Sequence, residues 1–206
     1  MLLKPLIIGI CGGTCSGKSS LSKLLTEYYD AEYISQDNYF KDLSQFENRR
    51  EIIKKTNFDC PDAYDIDLFI QKIKLLSKGY NINSPIYRFS DSTRIGTEHK
   101  MRKRIIVVDG IMMLYNDKIR ELLNYTVFID CDDDVRLSRR IKRDIAERGY
   151  DLELILHQYF STVKPMKNIY IDPYKSIANR VIYNNSNDCK LDYSNIINDI
   201  NNLIIG

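Results

Sequence analysis

Residues Gly12-Gly13-Thr14-Cys15-Ser16-Gly17-Lys18-Ser19 match the pattern GxxxxGK[ST], and no other stretch of the chain restricts its fold as much. From average residue frequencies the pattern arises by chance in about one chain in a hundred of this length. Here it also stands between an apolar run, Leu6 to Cys11, and a segment with leucines at helical spacing. That strand–loop–helix setting is what a phosphate-binding loop requires. Glycines let successive backbone N–H groups turn inward around a phosphate. The helix that follows adds the positive end of its dipole. Lys18 is placed to bridge the β- and γ-phosphates, and the Ser19 hydroxyl to ligate Mg²⁺. The expected phosphate-binding set is Gly12, Gly13, Thr14, Cys15, Ser16, Gly17, Lys18, Ser19 and Ser20, with ATP as the nucleotide.

The rest of the chain alternates strand and helix signals. Leu21, Leu24, Leu25 and Tyr28 have the spacing of one helix face. Tyr33 to Ser35 reads as a short strand, and Asp65 as the cap of a helix that Gly79 stops. Asn81 to Thr97 is polar and reads as a hairpin or long loop. Ile105 to Val108 and Tyr125 to Ile129 are continuous runs of the kind buried on both faces of a sheet. Helices are expected over about 135–147 and about 151–163, the second ending before Pro165. Val181 to Tyr183 reads as a last strand. Ile196, Ile197, Ile200, Leu203 and Ile204 read as the buried face of a terminal helix. The fold class expected is α/β, a P-loop NTPase-type doubly wound parallel sheet with a substrate hairpin and an arginine lid. The 206 residues suit one domain, with the hairpin insert at about 81–99 and the lid at about 136–150.

Composition narrows the function classes. Thirty basic against 28 acidic residues leave a net charge of +2, so nothing marks the chain as a nucleic-acid binder. No run of 18 apolar residues suggests a membrane span, and the short N-terminal apolar run reads as a strand rather than a secretory signal. Five cysteines (Cys11, Cys15, Cys60, Cys131 and Cys189) show no CxxC spacing and are accompanied by only two histidines. They read as free thiols of a cytoplasmic protein rather than as a zinc site.

Asp109 directly follows the run Ile105-Ile106-Val107-Val108, at the strand end where ligands of such sheets bind. It is a natural partner for Mg²⁺, or else a turn aspartate before Gly110. Asp37 follows the second strand. It is placed either to take a proton from an attacking hydroxyl or to cap a turn. Asp132-Asp133-Asp134 opens a helix and is read as capping. Arg136, Arg139, Arg140 and Arg143 share one face of that helix, with Leu137, Ile141 and Ile145 opposite. Four arginines without a lysine suit planar recognition of phosphate, although a solvated helix face has the same pattern.

Together these residues resemble the uridine–cytidine kinases, P-loop nucleoside kinases of pyrimidine salvage. The resemblance runs from the first strand to about Ile182. Its specific segments are Ile34-Ser35-Gln36-Asp37-Asn38-Tyr39-Phe40-Lys41, Asn57-Phe58-Asp59-Cys60-Pro61-Asp62-Ala63-Tyr64-Asp65, Arg139-Arg140-Ile141-Lys142-Arg143-Asp144 with Glu147-Arg148-Gly149, and Gln158-Tyr159 with Val163-Lys164-Pro165-Met166. The resemblance implies that Asp37 is the base acting on the sugar 5′-hydroxyl and also touches Mg²⁺ beside Ser19 and Asp109. It implies that Lys18 and Arg143 serve catalysis, with Arg143 in the lid. Asp59 would bind the ribose hydroxyls, Tyr87 would border the base, and Arg140 and Gln158 would help hold the nucleoside. The expected reaction is transfer of the ATP γ-phosphoryl group to uridine or cytidine. The family tends to form tetramers, which implies a homo-oligomer here. The sequence departs from the family at four places. Ser92 stands where a histidine usually reads the base, Tyr150 where arginine is frequent, Asp109 where glutamate is usual, and Asn179 where aspartate is usual. A kinase for another riboside, such as nicotinamide riboside, and a nucleotide-binding regulator without turnover stay open at this point.

Overall fold

The computed structural model describes residues 4–185 and 193–205; Cys189 lies outside the described residues. Seven strands are described: β1 (Leu6–Gly12), β2 (Glu32–Ser35), β3 (Ile82–Arg88), β4 (Thr93–Lys100), β5 (Ile105–Asp109), β6 (Tyr125–Asp130) and β7 (Arg180–Tyr183). The helices are α1 (Lys18–Tyr29), α2 (Arg49–Lys55), α3 (Ile66–Ser77), α4 (Asp117–Arg120), α5 (Asp133–Arg148), α6 (Leu152–Gln158), α7 (Lys164–Tyr170) and α8 (Ser194–Ile205). Five strands form one parallel sheet in the order β2-β5-β1-β6-β7. β2 and β5 lie on one side of β1 and β6 and β7 on the other, so the topological switch point falls at the C-terminal end of β1, where the Gly-rich loop begins.

The apolar runs explain this sheet. β5 is buried along its whole length, as its β-branched sequence requires. On β1, Ile7 and Cys11 face a core shared with α3 and the hairpin, while Ile8 and Ile10 face α1 and α8. The terminal helix buries Ile196 and Ile200, but Leu203 is 45% exposed and leaves the expected face. On α1, Leu21 and Leu25 are buried, whereas Tyr28 stands 59% exposed. The covered stripe there is narrower than the periodicity predicts.

The 81–99 segment is an antiparallel hairpin, β3 with β4. Its register slips between Ile86 and Tyr87, a bulge that shifts the buried face along the strand. Arg94 fixes the hairpin to the loop after β2, donating from Nε to the Phe40 carbonyl at 3.0 Å and pairing with Asp65 at 3.3 Å. The Tyr87 N–H donates to Asn38 Oδ1 at 3.3 Å, which seats the hairpin beside Asp37.

Two other expectations change. The helical path does not stop before Pro165. It passes through a π-turn, Tyr159–Val163, and continues as α7 with the proline near its start. Proline has no N–H to give a carbonyl four residues back, and a wider turn accommodates that loss. Asp132 occupies the N-cap of α5 without a side-chain cap bond. Its neighbour Asp133 instead pairs with Arg136 at 2.6 Å and Lys167 at 3.4 Å. Among the described residues, no helix is long and apolar enough to cross a membrane, and Cys11, Cys15, Cys60 and Cys131 are free thiols.

Candidate active site

The loop after β1 is held in place by its surroundings. Gly12 has φ +137° and Gly17 φ +107°, conformations that side chains rarely adopt. A methyl group at Gly12 would overlap the Ile129 carbonyl, and one at Gly17 the Asn184 amide. Asn184 Nδ2 donates to the Ser16 carbonyl at 2.7 Å, Arg136 to the Thr14 carbonyl at 3.3 Å, and Lys18 Nζ to the Gly13 carbonyl at 2.9 Å. Three loop carbonyls are thus engaged by donors. Burial pushes the Lys18 ammonium down from its ordinary value, with the charges of Asp37 and Asp109 opposing.

Asp109 ends β5 and is almost completely buried. The hydroxyls of Ser19 and Ser22 each donate to its Oδ2 at 3.3 Å. Burial first, then the like charge of Asp37, pushes the Asp109 carboxyl up, while Lys18 pulls it down. A carboxyl raised in this way stabilises the fold fully below the ordinary carboxylate range, and that contribution is lost as pH rises through the raised value. Above the ordinary carboxylate range the burial of this group therefore works against the nucleotide-free fold. Asp109→Asn is expected to raise the melting temperature at pH 7 by about 2–4 °C, what ~1 kcal/mol is worth in a chain this long. The gain should shrink as the pH is lowered. Melting curves of both proteins across pH check this, and a variant that melts lower at pH 7 contradicts it. Ser19, Asp109 and Asp37 offer hard oxygen donors, a set that suits Mg²⁺, which keeps water and phosphate as its remaining ligands. Among the described residues no three acidic, histidine or cysteine side chains cluster as a metal site.

Two cavities meet beside this loop. The wider has a volume of about 840 Å³ and is lined by Thr14, Cys15, Gly17, Lys18, Ser19, Ser20, Asp109, Arg139 and Asn184, among others. The smaller has a volume of about 70 Å³ and is lined by Asp59, Tyr87, Ser92, Arg140 and Gln158 together with Phe40, Phe58, Phe89, Tyr150 and Thr162. Thr14, Asp37, Tyr87, Phe89, Arg143 and Arg148 line both. Gly12, Gly13 and Ser16 form buried backbone of the loop itself. The five residues expected at the nucleoside therefore share one cavity, and the phosphate set borders the other. Asp37, on the short 3-10 turn Gln36–Tyr39, stands where they join.

The aromatic wall is packed as well as exposed to the cavity. Tyr87 is only 6% exposed. Its ring lies 5.4 Å from Phe40 and 5.3 Å from Phe89. Burial pushes its phenol up to about 12, tempered by the Ser92 hydroxyl. Ser92 is in the hairpin turn with φ +56° and is nearly buried. Its reach into the cavity is short, as a hydroxyl in place of an imidazole dictates. Asp59 is pushed up by burial, with Arg140 opposing.

The arginine stripe of α5 faces inward. Arg136, Arg140 and Asp144 are buried, whereas Ile145, on the apolar side, is 49% exposed. The stripe divides between two tasks. Arg136 and Arg139 bind backbone carbonyls, those of Thr14 and Cys131 for Arg136 and that of Asn184 at 3.1 Å for Arg139. Arg140 and Arg143 reach the smaller cavity, Arg140 donating to Gln158 Oε1 at 3.2 Å. Arg148 joins them with its guanidinium 4.6 Å from the Phe89 ring centroid. Spacing predicts this place for Arg148, since Arg136, Arg140, Asp144 and Arg148 continue one i+4 series. Phe40, Phe58, Phe89, Thr162 and Asn184 have no comparable local signal. Asn179 accepts from the Thr126 N–H and hydroxyl, both at 2.8 Å, which a carboxylate would do equally; this departure leaves both cavities untouched.

Comparison with known proteins fits this geometry. The chain is 43% identical over 187 residues to a uridine kinase of Clostridium novyi (strain NT), covering 88% of each chain. It is 41% identical over 186 residues to a uridine kinase of Streptococcus pyogenes serotype M5 (strain Manfredo), again covering 88% of each. Among solved structures, one described as a possible uridine kinase from Bacillus stearothermophilus superposes with a TM-score of 0.61 at 14% identity, covering 88% of this chain and 90% of that one, a likeness of fold. The model of the Phosphoribulokinase / Uridine kinase family matches residues 7–189. With nearly the whole chain matched and relatives above 40% identity, this protein belongs to the Phosphoribulokinase / Uridine kinase family.

Proposed function

We propose that the protein is an ATP-dependent nucleoside kinase that phosphorylates the 5′-hydroxyl of uridine or cytidine. The observation that carries this reading is the junction of the two cavities at Asp37, Thr14 and Arg143. A triphosphate in the wider cavity ends there, and a nucleoside in the smaller one presents its 5′ end to the same point. Phosphoryl transfer needs little beyond such alignment and charge.

In this reading the loop 12–20 holds the phosphates and Lys18 offsets charge on the β- and γ-groups. Asp37 accepts or orients the 5′-hydroxyl proton. Asp59 takes the ribose hydroxyls, and Tyr87, Phe40 and Phe89 border the base with Ser92 at its edge. Arg140 and Gln158 hold the nucleoside. Arg143, with Arg148, meets the transferred group from the lid side of a single catalytic domain. Ser19 and Asp109, with Asp37 beside them, would hold Mg²⁺, which would supply positive charge against the phosphates. The working compartment is the cytoplasm, where ATP and reduced thiols coexist.

Coupled ADP release with ATP and Mg²⁺ across uridine, cytidine, deoxycytidine, adenosine and nicotinamide riboside tests the assignment. Preferred turnover on uridine or cytidine supports it. Preference for nicotinamide riboside, or ADP release independent of any nucleoside, contradicts it.

A further inference from the structure

Asp59 lines the smaller cavity and is half-buried, and a carboxylate that must meet a sugar diol needs a fixed orientation. Two contacts supply one. The Asp59 N–H donates to Asn57 Oδ1 at 3.0 Å, which sets the backbone. Thr162 Oγ1 stands 3.2 Å from Asp59 Oδ2 and 3.0 Å from the Gln158 carbonyl. A hydroxyl has one proton, and the carboxylate is the stronger acceptor. Thr162 belongs to the π-turn Tyr159–Val163, one turn beyond Gln158, which in turn accepts from Arg140. The end of α6 and the π-turn after it therefore engage Arg140 and Asp59, two of the charged groups of this wall. Bulges of this kind concentrate at functional sites.

We propose that Thr162 is a positioning residue for Asp59: by tying Oδ2 it leaves Oδ1 for a ligand hydroxyl, and it thereby sets the preference for ribose over 2′-deoxyribose. The proposal rests on the reading above, in which Asp59 takes the ribose hydroxyls. Thr162 touches no substrate in this scheme and acts only through the carboxylate. Its effect is therefore larger on substrates that carry the 2′-hydroxyl, since 2′-deoxyuridine offers Asp59 only the 3′-hydroxyl.

The test is steady-state kinetics of the wild type, Thr162→Val and Thr162→Ser on uridine and 2′-deoxyuridine, with melting curves alongside. Valine keeps the shape and removes the donor; serine keeps the donor. Thr162→Val is expected to raise the KM for uridine about tenfold, what a hydrogen bond to a charged group is worth. KM for ATP should stay within about twofold and kcat/KM for 2′-deoxyuridine should fall less than that for uridine, so the ribose preference shrinks. Thr162→Ser should retain it. An unchanged preference in Thr162→Val, an equal loss on both nucleosides, or a serine variant that behaves like valine would overturn the proposal. Turnover of uridine with an unchanged preference overturns this proposal alone. Absence of nucleoside turnover in the wild type overturns the kinase reading and this proposal with it.

Discussion

Asp37→Asn is expected to lower kcat on uridine by about 10²–10⁴-fold, the usual worth of a positioned general base, while ATP affinity stays within about threefold. Asparagine keeps the size of the side chain but cannot take the 5′-hydroxyl proton. Asp37 is the carboxylate at the junction of the two cavities, whereas Asp109 borders only the wider one and Asp59 only the smaller. The substitution also alters two neighbours in predictable directions. Asp109 loses the like charge that helps push it up, and Lys18 loses a charge that holds its ammonium against burial. Both changes act on the phosphate side, so binding of a fluorescent ATP analogue is the control that separates them from proton transfer. A kcat within tenfold of the wild type would remove Asp37 from the role of base.

The largest structural effect is expected at Asp144. This carboxylate is completely buried and is the anchor of three guanidinium groups. Oδ1 stands 2.8 Å from Arg143 Nε and 3.3 Å from Arg148 Nε, and Oδ2 lies 3.2 Å from Arg140 Nε. Without the carboxylate, three cations face one another in a partly closed site. Burial already pushes Arg148 below its ordinary value, and the charge of Arg143 pushes the same way. Removing one member of a buried ionic network costs about 3–5 kcal/mol. Asp144→Asn should therefore melt roughly 6–20 °C below the wild type, at 2–4 °C per kcal/mol for a chain of this length. The loss should be partly reversed by added phosphate or ATP, whose negative charge replaces the missing anchor. A variant that melts within 2 °C of the wild type would show that the three arginines do not depend on this anchor.

Much of the architecture could be read from the chain because its signals were local. The phosphate loop, the β-branched runs of β1, β5 and β6, and the cap at Asp65 each need only a few neighbouring residues. Asp65 accepts from the Leu68 N–H as its position predicts. Helix α2 was not legible, since its seven residues carry five charges and, among its described side chains, only Ile53 is buried. The inward face of α5 was legible only in part, because four arginines suit phosphate recognition but a solvated helix face shows the same pattern. Here the arginines satisfy loop carbonyls and a buried carboxylate, and those partners come from distant parts of the sequence. The same reason hid Thr162, whose contact with Asp59 spans 103 residues. The grouping of Asp59, Tyr87, Ser92, Arg140 and Gln158 followed from motif resemblance rather than from periodicity, and no local rule would have assembled it.

The central claim is that the 5′-hydroxyl of a nucleoside is presented to the end of the triphosphate at Asp37. The most direct measurement is ADP formation and phosphorus NMR of the product with uridine and, in parallel, 5′-deoxyuridine, which lacks only the accepting oxygen. The account predicts one ADP and one uridine 5′-monophosphate per turnover with uridine. With 5′-deoxyuridine it predicts competitive inhibition and no ADP above the nucleoside-free rate. Equal ADP release with both compounds, or a phosphate attached elsewhere on the ribose, would contradict it.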